Sequence, residues 1–184
     1  MSLEENIQKV KENIAAAARE VGRDPAEITL VAATKVQSDE TIRAAIAAGV
    51  TICGENRVQE MTAHLDADAY AGAEVHFIGH LQTNKVKNVV GRVELIESVG
   101  SEHLLEAIDK QAAKLGIVQD VLLEVNVGDE ESKSGVAVDE LEALARRACE
   151  LPNIRLRGLM AIPPAAGEGG NRGFFREMRQ LFVD

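Results

Sequence analysis

The stretch that decides the fold is residues 28–56, which read ITLVAATKVQSDETIRAAIAAGVTICGEN. It opens with a short apolar run, residues 28–34, of the kind that forms a buried strand. Ser38-Asp39-Glu40 then predicts the start of an amphipathic helix that ends at Gly49. A second apolar run, residues 50–53, follows directly. Strand, helix and strand in this order predict parallel strands joined by a right-handed crossover.

The same alternation continues along the rest of the sequence. Further strands are predicted at residues 75–78, 93–99, 120–127 and 154–161, and helices at 56–64, 82–90, 101–115, 138–150 and 173–183. An additional amphipathic helix precedes the first strand, with a capping box at Ser2 and Glu5 and a stop at Gly22. Apolar strands that alternate with helices indicate an α/β protein with a parallel sheet.

Two architectures fit this alternation, an open doubly wound sheet and a (β/α) barrel. No Gly-x-Gly-x-x-Gly pattern follows the first strand and no Walker-type loop occurs, which weakens the nucleotide-binding versions of the open sheet. A barrel would place its functional site at the carboxyl ends of the strands. With no linker or low-complexity segment, residues 1–184 are predicted to form a single domain.

The composition bears on which partners the protein binds and on the cellular compartment in which it works. A formal net charge of −10 argues against general binding of nucleic acid or of an anionic membrane. The longest apolar runs are far shorter than a membrane span. Cys53 and Cys149 have no metal-type spacing, and no secretory signal is evident at the amino terminus. We therefore expect a cytoplasmic protein with reduced thiols.

Lys35 is the candidate for chemistry, because it ends the first predicted strand among small apolar neighbours. A partly desolvated strand end would lower the pKa of its amine, and a neutral amine attacks an aldehyde to form an imine. The alternative is a solvated lysine at a strand end. Spacing alone favours that alternative.

Several blocks, taken in order, resemble the pyridoxal phosphate homeostasis family. They are ITLVAATK (28–35), GENRVQE (54–60), HFIGHLQTNK (76–85), NV (126–127) with SKSG (132–135), and RGLMAIP (157–163). The blocks cover nearly the whole chain, which makes the resemblance specific. It implies a (β/α)8 TIM-type barrel of the alanine racemase N-terminal-domain type.

The resemblance also implies a cofactor, pyridoxal 5′-phosphate, held as a Schiff base on Lys35. Asn56 is then expected at the cofactor mouth, although it would also serve as the N-cap of the next helix. His76 is expected to point into the barrel, with an ordinary core histidine as the alternative. Met160 is expected against the pyridine ring, with plain core filling equally plausible.

Two further segments are candidates for anion contacts. Lys133, between two serines, is a candidate contact for a phosphate or a second vitamer, and a solvated acidic loop is the favoured alternative. Residues 82–85 start a predicted helix, where unpaired N–H groups favour anions. Ordinary helix capping is the alternative there.

The sequence ends at Asp184, after the sixth predicted strand and helix. The family pattern continues with two more strands, which carry the phosphate-binding loops and an arginine that faces the pyridine nitrogen. We therefore expect an incomplete barrel of about six β/α units with weaker cofactor affinity. A monomer is expected for the family, but open strand edges would promote self-association.

The leading functional hypothesis is a carrier in vitamin B6 homeostasis that has no turnover of its own and that serves pyridoxal-phosphate-dependent client enzymes. The alternative is a racemase-like enzyme, which needs a base on each face of the cofactor. Tyr70, predicted to lie in a surface loop at 66–73, and Cys53, predicted to be buried, are poor candidates for the second base. An interaction protein with a vestigial site is the third possibility.

Overall fold

The computed structural model describes residues 2–128, 134–165 and 170–183. The chain divides into two compact units, residues 1–76 and 77–184. The described helices are α1 (Leu3–Glu20), α2 (Asp39–Ala47), α3 (Val58–Asp66), α4 (Glu102–Leu115), α5 (Leu141–Glu150) and α6 (Arg172–Val183). The described strands are β1 (Ala32–Ala33), β2 (Ile52–Glu55), β3 (Glu74–Phe77), β4 (Leu95–Val99), β5 (Gln119–Glu124) and β6 (Ile154–Met160). Short 3-10 helices cover Pro25–Glu27, Thr83–Asn88 and Val138–Glu140.

The strand order is β1-β2-β3-β4-β5-β6, which is also the order in the chain. The pairs β1–β2, β4–β5 and β5–β6 are parallel. A doubly wound sheet would reverse its order at a switch point, whereas a barrel wall adds each strand beside the preceding one. The predicted α/β class and its TIM-type strand order are therefore confirmed.

In the first unit, local capping fixes the helices where the sequence predicted them. The Ser2 hydroxyl accepts a hydrogen bond from the Glu5 N–H at 3.1 Å, and the Glu5 carboxylate accepts one from the Ser2 N–H at 2.7 Å. Helix α2 begins after the Ser38 cap. The core of this unit includes the fully buried side chains of Ile42 and Met61.

Several predicted boundaries in both units are wrong by a few residues. Strand β1 covers only Ala32–Ala33 instead of residues 28–34, and β2 runs to Glu55 instead of ending at Cys53. An apolar run in the sequence predicts that its side chains are buried. A strand, however, forms only where an adjacent strand completes the hydrogen-bond ladder. Since β1 is at the end of the strand order, its ladder comes from β2 alone, with Ala33 opposite Gly54. The helix predicted at 82–90 is instead a 3-10 helix.

The second unit packs α4 and α5 against β4, β5 and β6. Its fully buried side chains include Ile96, Leu105, Ile108 and Leu123. The Arg147 guanidinium on α5 contacts the Glu102 carboxylate at 2.9 Å and the Glu106 carboxylate at 2.8 Å, both on α4. These partly exposed pairs align the two helices and add little free energy of unfolding.

The described helices include none with the length and apolar character needed to cross a membrane. Both cysteines are free, with Cys53 buried and Cys149 exposed.

Gly135→Ala tests a close backbone approach in the second unit. Gly135 has φ +113°, and an added Cβ would lie 2.7 Å from the Asn126 nitrogen. Strain at a left-handed position and this overlap predict a loss of about 2 kcal/mol in the free energy of unfolding, measured by urea denaturation. Gly173→Ala in α6 is the control, because its Cβ meets nothing within 4 Å. Equal stability of the two variants would show that residues around Gly135 relax freely.

Candidate functional site

Lys35 lies in the turn that follows β1, beside the end of β2. The Thr34 N–H donates to the Gly54 carbonyl at 2.9 Å, which extends the contact between the two strand ends by one residue. The Lys35 side chain is exposed. This exposure agrees with the solvated lysine that spacing alone favoured, and it does not support the alternative of a partly desolvated amine. The amine is instead sterically open to a ligand.

The backbone after Lys35 is strained and is held by α3. Val36 has φ 56°, a left-handed conformation that is rare for a β-branched residue. Its N–H donates to the Glu60 carboxylate at 3.1 Å, and this hydrogen bond is the main cause that lowers the pKa of Glu60. Arg57 donates to the other Glu60 oxygen at 3.0 Å. The turn that presents Lys35 therefore has a fixed geometry at neutral pH.

Beneath this turn lies a buried carboxylate. Glu55, at the end of β2, is fully buried. Its Oε1 accepts hydrogen bonds from the Thr34 hydroxyl at 2.5 Å and from the Tyr70 hydroxyl at 2.8 Å. Its Oε2 has no hydrogen-bond partner among the described residues. Glu55 thus connects the residue before Lys35 to the loop that carries Tyr70.

Most of the segment at residues 66–73 is exposed, as predicted, but the prediction is wrong for Tyr70, which is only 4% exposed, and for Ala69, which is fully buried. Burial, reinforced by the hydrogen bond to Glu55, raises the pKa of Tyr70, so its phenol stays protonated and donates. A lone tyrosine among alanines was the available signal, because its ring favours burial and its hydroxyl needs a partner.

Cys53 is fully buried, as predicted. Burial, followed by the nearby Glu55 charge, raises the pKa of its thiol to about 11. The thiol is therefore protonated at neutral pH and is a poor base or nucleophile.

Asn56 follows β2 and is half-buried. Its Oδ1 is buried and has no hydrogen-bond partner among the described residues. The alternative that Asn56 caps the next helix is wrong, because α3 begins after Arg57 and receives no side-chain cap. An amide oxygen left in this state is a ready acceptor for a ligand donor.

The remaining predicted site residues have different surroundings. His76 is buried in β3, with its Nε2 3.8 Å from the Glu74 carboxylate. Met160 ends β6 in the second unit and is half-buried. Lys133 lies outside the described residues. The structure thus brings Lys35 and Asn56 to adjacent strand ends, while the roles of His76, Met160 and Lys133 stay predictions.

The second predicted anion site, at residues 82–85, has weaker support than expected. A 3-10 helix, Thr83–Asn88, replaces the predicted α-helix, and Gln82 makes no side-chain cap. So short a helix has a small dipole for holding an anion. Among the described residues, no cluster of three or more His, Cys, Asp or Glu side chains is arranged for a metal ion.

Comparison with known proteins first places the chain in a class. The family model described as "Alanine racemase, N-terminal domain" matches residues 6–183. The pyridoxal phosphate homeostasis protein of Aquifex aeolicus is 43% identical over 178 residues, which are 96% of this chain and 78% of the relative. The chain therefore belongs to the family of pyridoxal phosphate homeostasis proteins, within the alanine racemase N-terminal-domain class.

Solved structures agree with this assignment. A crystal structure of a protein from Bifidobacterium adolescentis superposes with a TM-score of 0.90 at 38% identity, covering 97% of this chain and 77% of the other. PipY of Synechococcus elongatus, solved with pyridoxal phosphate bound, gives a TM-score of 0.76 at 28% identity, covering 94% of this chain and 80% of PipY. The resemblance and the barrel type that it implied are confirmed.

Tyr70→Phe is expected to destabilise the chain, because it removes a donor from the fully buried Glu55 carboxylate. Loss of a buried hydrogen bond to a charged group predicts a drop of about 2 kcal/mol in the free energy of unfolding, measured by urea denaturation. In a Glu55→Gln background the same substitution should cost less. An equal cost in both backgrounds would mean that Tyr70 acts through packing alone.

Val36→Asn is expected to stabilise the chain, because asparagine tolerates the left-handed backbone that valine adopts at φ 56°. The gain in the free energy of unfolding should be about 1 kcal/mol by urea denaturation. Val118→Asn, at another exposed valine, is the control and should give no gain. An unchanged stability at position 36 would show that Val36 is not strained.

Proposed function

We propose that this chain binds pyridoxal 5′-phosphate through Lys35 and acts as a carrier in vitamin B6 homeostasis. The observation that carries the proposal is the exposed Lys35 amine on a fixed turn, with the orphaned Asn56 oxygen at the adjacent strand end. Membership of a family named for pyridoxal phosphate homeostasis supports it. The bound pyridoxal phosphate in the similar PipY structure supports the choice of cofactor.

The residues present suit the aldehyde end of this cofactor. Lys35 would hold the cofactor by condensing its amine with the aldehyde, the two amine hydrogens leaving with the aldehyde oxygen as water. When bound, the cofactor supplies an electron sink. The chain's own contribution is to hold Lys35 on a turn whose backbone is bonded to Glu60. Asn56 offers an acceptor whose unmet hydrogen bond costs about 1–3 kcal/mol until a donor arrives.

We propose a carrier role in preference to racemisation. A racemase needs a proton-transferring group on the face opposite the lysine. In the first unit, the Tyr70 phenol is protonated and donates to Glu55, and the Cys53 thiol is buried and protonated. Neither group is suited to remove a substrate proton. Racemisation of free alanine by the purified chain, abolished by Lys35→Ala, would reverse this preference.

The proposal also covers the compartment, the partners and the domain organisation of the protein. We place it in the cytoplasm, with pyridoxal-phosphate-dependent enzymes as the partners that receive the cofactor. We also propose that residues 1–184 act together as one domain. A monomeric peak in gel filtration that melts in one cooperative step would support this organisation, and two separate transitions would contradict it.

Lys35→Ala is expected to abolish covalent attachment. Wild-type protein mixed with pyridoxal 5′-phosphate should develop a visible absorbance band, and borohydride should fix the cofactor to the peptide that contains Lys35. The variant should show neither signal, because it lacks the nitrogen that bonds to the aldehyde carbon.

Lys87→Ala is the matched control, since Lys87 is another exposed lysine in the described part of the chain. It should retain the full band and the full reduced adduct. If Lys35→Ala keeps the same band and adduct, the attachment site lies elsewhere and the proposal is wrong.

A further inference from the structure

The second unit contains a cavity of about 350 Å³ whose lining is mixed, with polar side chains beside apolar ones such as Leu81 and Leu104. It lies where β4 and β5 end, and its lining includes His80, Gln82, Ser98, Ser101, Glu124 and Ser134. This volume is within the range of sites that bind small molecules. Two segments that the sequence offered as candidate anion contacts contribute to this lining, with Gln82 from residues 82–85 and Ser134 from the residues beside Lys133, whereas Glu124 was not predicted to belong to a site.

One wall of the cavity carries a buried carboxylate, that of Glu124. Glu124 ends β5 and is only 7% exposed. Its backbone carbonyl accepts a hydrogen bond from the Val136 N–H at 2.8 Å, which fixes the strand end. Burial raises the pKa of Glu124, and His80 acts in the opposite direction. Among the described residues the charged neighbour of this carboxylate is a histidine, which leaves it able to accept a cationic group of a ligand.

Another wall is electropositive, because it contains the start of α4. Gly100, Ser101 and Leu104 line the cavity. The Ser101 hydroxyl accepts from the Leu104 N–H at 3.3 Å, and the earlier N–H groups of this fourteen-residue helix lack intrahelical partners. The first-turn acid, Glu102, is bound to Arg147 at 2.9 Å. Its charge is thereby balanced outside the cavity.

Hydroxyl groups join the two walls. The Ser98 hydroxyl donates to the Gly79 carbonyl at 2.5 Å, so its remaining lone pair is available as an acceptor. The Ser134 hydroxyl lies 3.4 Å from the His80 Nδ1. These side chains give the cavity fixed polar groups in addition to its opposite charges.

We propose that this cavity binds a small zwitterion, with its ammonium group on the Glu124 carboxylate and its anionic group at the amino terminus of α4. A ligand with a single charge fits less well. Glu124 repels a simple anion, and the positive end of the α4 dipole opposes a simple cation. The site belongs to the second unit alone and does not depend on Lys35.

The test titrates the full chain, without added cofactor, by isothermal calorimetry. The zwitterionic probes are glycine, β-alanine and 4-aminobutanoate, which separate the two charges by increasing distances. Propylamine and propionate carry one charge each. We expect one zwitterion to bind at least about tenfold tighter than either singly charged probe, because each charged hydrogen bond contributes to affinity. Equal or undetectable binding of all five probes would overturn the proposal.

Glu124→Gln should weaken binding of the preferred zwitterion at least about tenfold, since the near-isosteric amide lacks the charge. Glu142→Gln is the matched control, because Glu142 is an exposed glutamate that pairs with Arg146 outside the cavity. It should bind as wild type does. Unchanged affinity in folded Glu124→Gln would refute the role assigned to this carboxylate.

Glu124→Asp keeps the charge and therefore tests the geometry even if the amide variant does not fold. It withdraws the carboxylate by one methylene, so the preference should shift toward the next longer probe. Retention of the wild-type order of affinities by a folded Glu124→Asp protein would contradict direct contact between Glu124 and the ammonium group.

Discussion

The fully buried carboxylate of Glu55 is the constraint on which the first unit's strand ends depend. A charge removed from water is tolerated only when polar groups replace the water. Thr34 and Tyr70 supply those groups, so the end of β1, the end of β2 and the loop after α3 are fixed together. Lys35 directly follows Thr34 and Asn56 directly follows Glu55, so both residues are positioned by these hydrogen bonds. The Lys35 side chain is therefore exposed, while the groups that fix the neighbouring strand ends are buried.

The alternation of strands and helices was predictable because it depends on local patterns. Ser2, Ser38 and Ser101 all cap helices where the sequence indicated. Exact strand limits were not predictable, since they depend on which neighbour completes the ladder. Residues 28–31 are mostly apolar but lie outside β1, and Gly54 lies inside β2 because it pairs with Ala33 of β1. The periodicity of apolar residues predicts which side chains are buried. Strand limits also depend on pairing with segments that are distant in the sequence.

The candidate site was predictable only in part, for a related reason. Spacing favoured a solvated lysine at position 35, and it was the ordered family blocks that indicated cofactor attachment there. The structure agrees with both, because the side chain is solvated and its backbone is constrained by Glu60. Tyr70 and Glu124 were missed because each needs a long-range contact to become informative. Tyr70 acquires its role from Glu55, and Glu124 acquires its role from a cavity formed by other segments.

Unmet hydrogen-bonding capacity links the two proposed sites. The Asn56 oxygen in the first unit is buried without a hydrogen-bond partner among the described residues, and the Glu124 carboxylate in the second belongs to a residue that is only 7% exposed. Such groups reduce the free energy of unfolding of the unliganded chain. A ligand that supplies the missing donor binds only the folded state. The hydrogen bond that it forms therefore contributes both to its affinity and to the free energy of unfolding of the complex. If both proposals hold, each site exchanges some free energy of unfolding for the capacity to recognise a donor-bearing ligand.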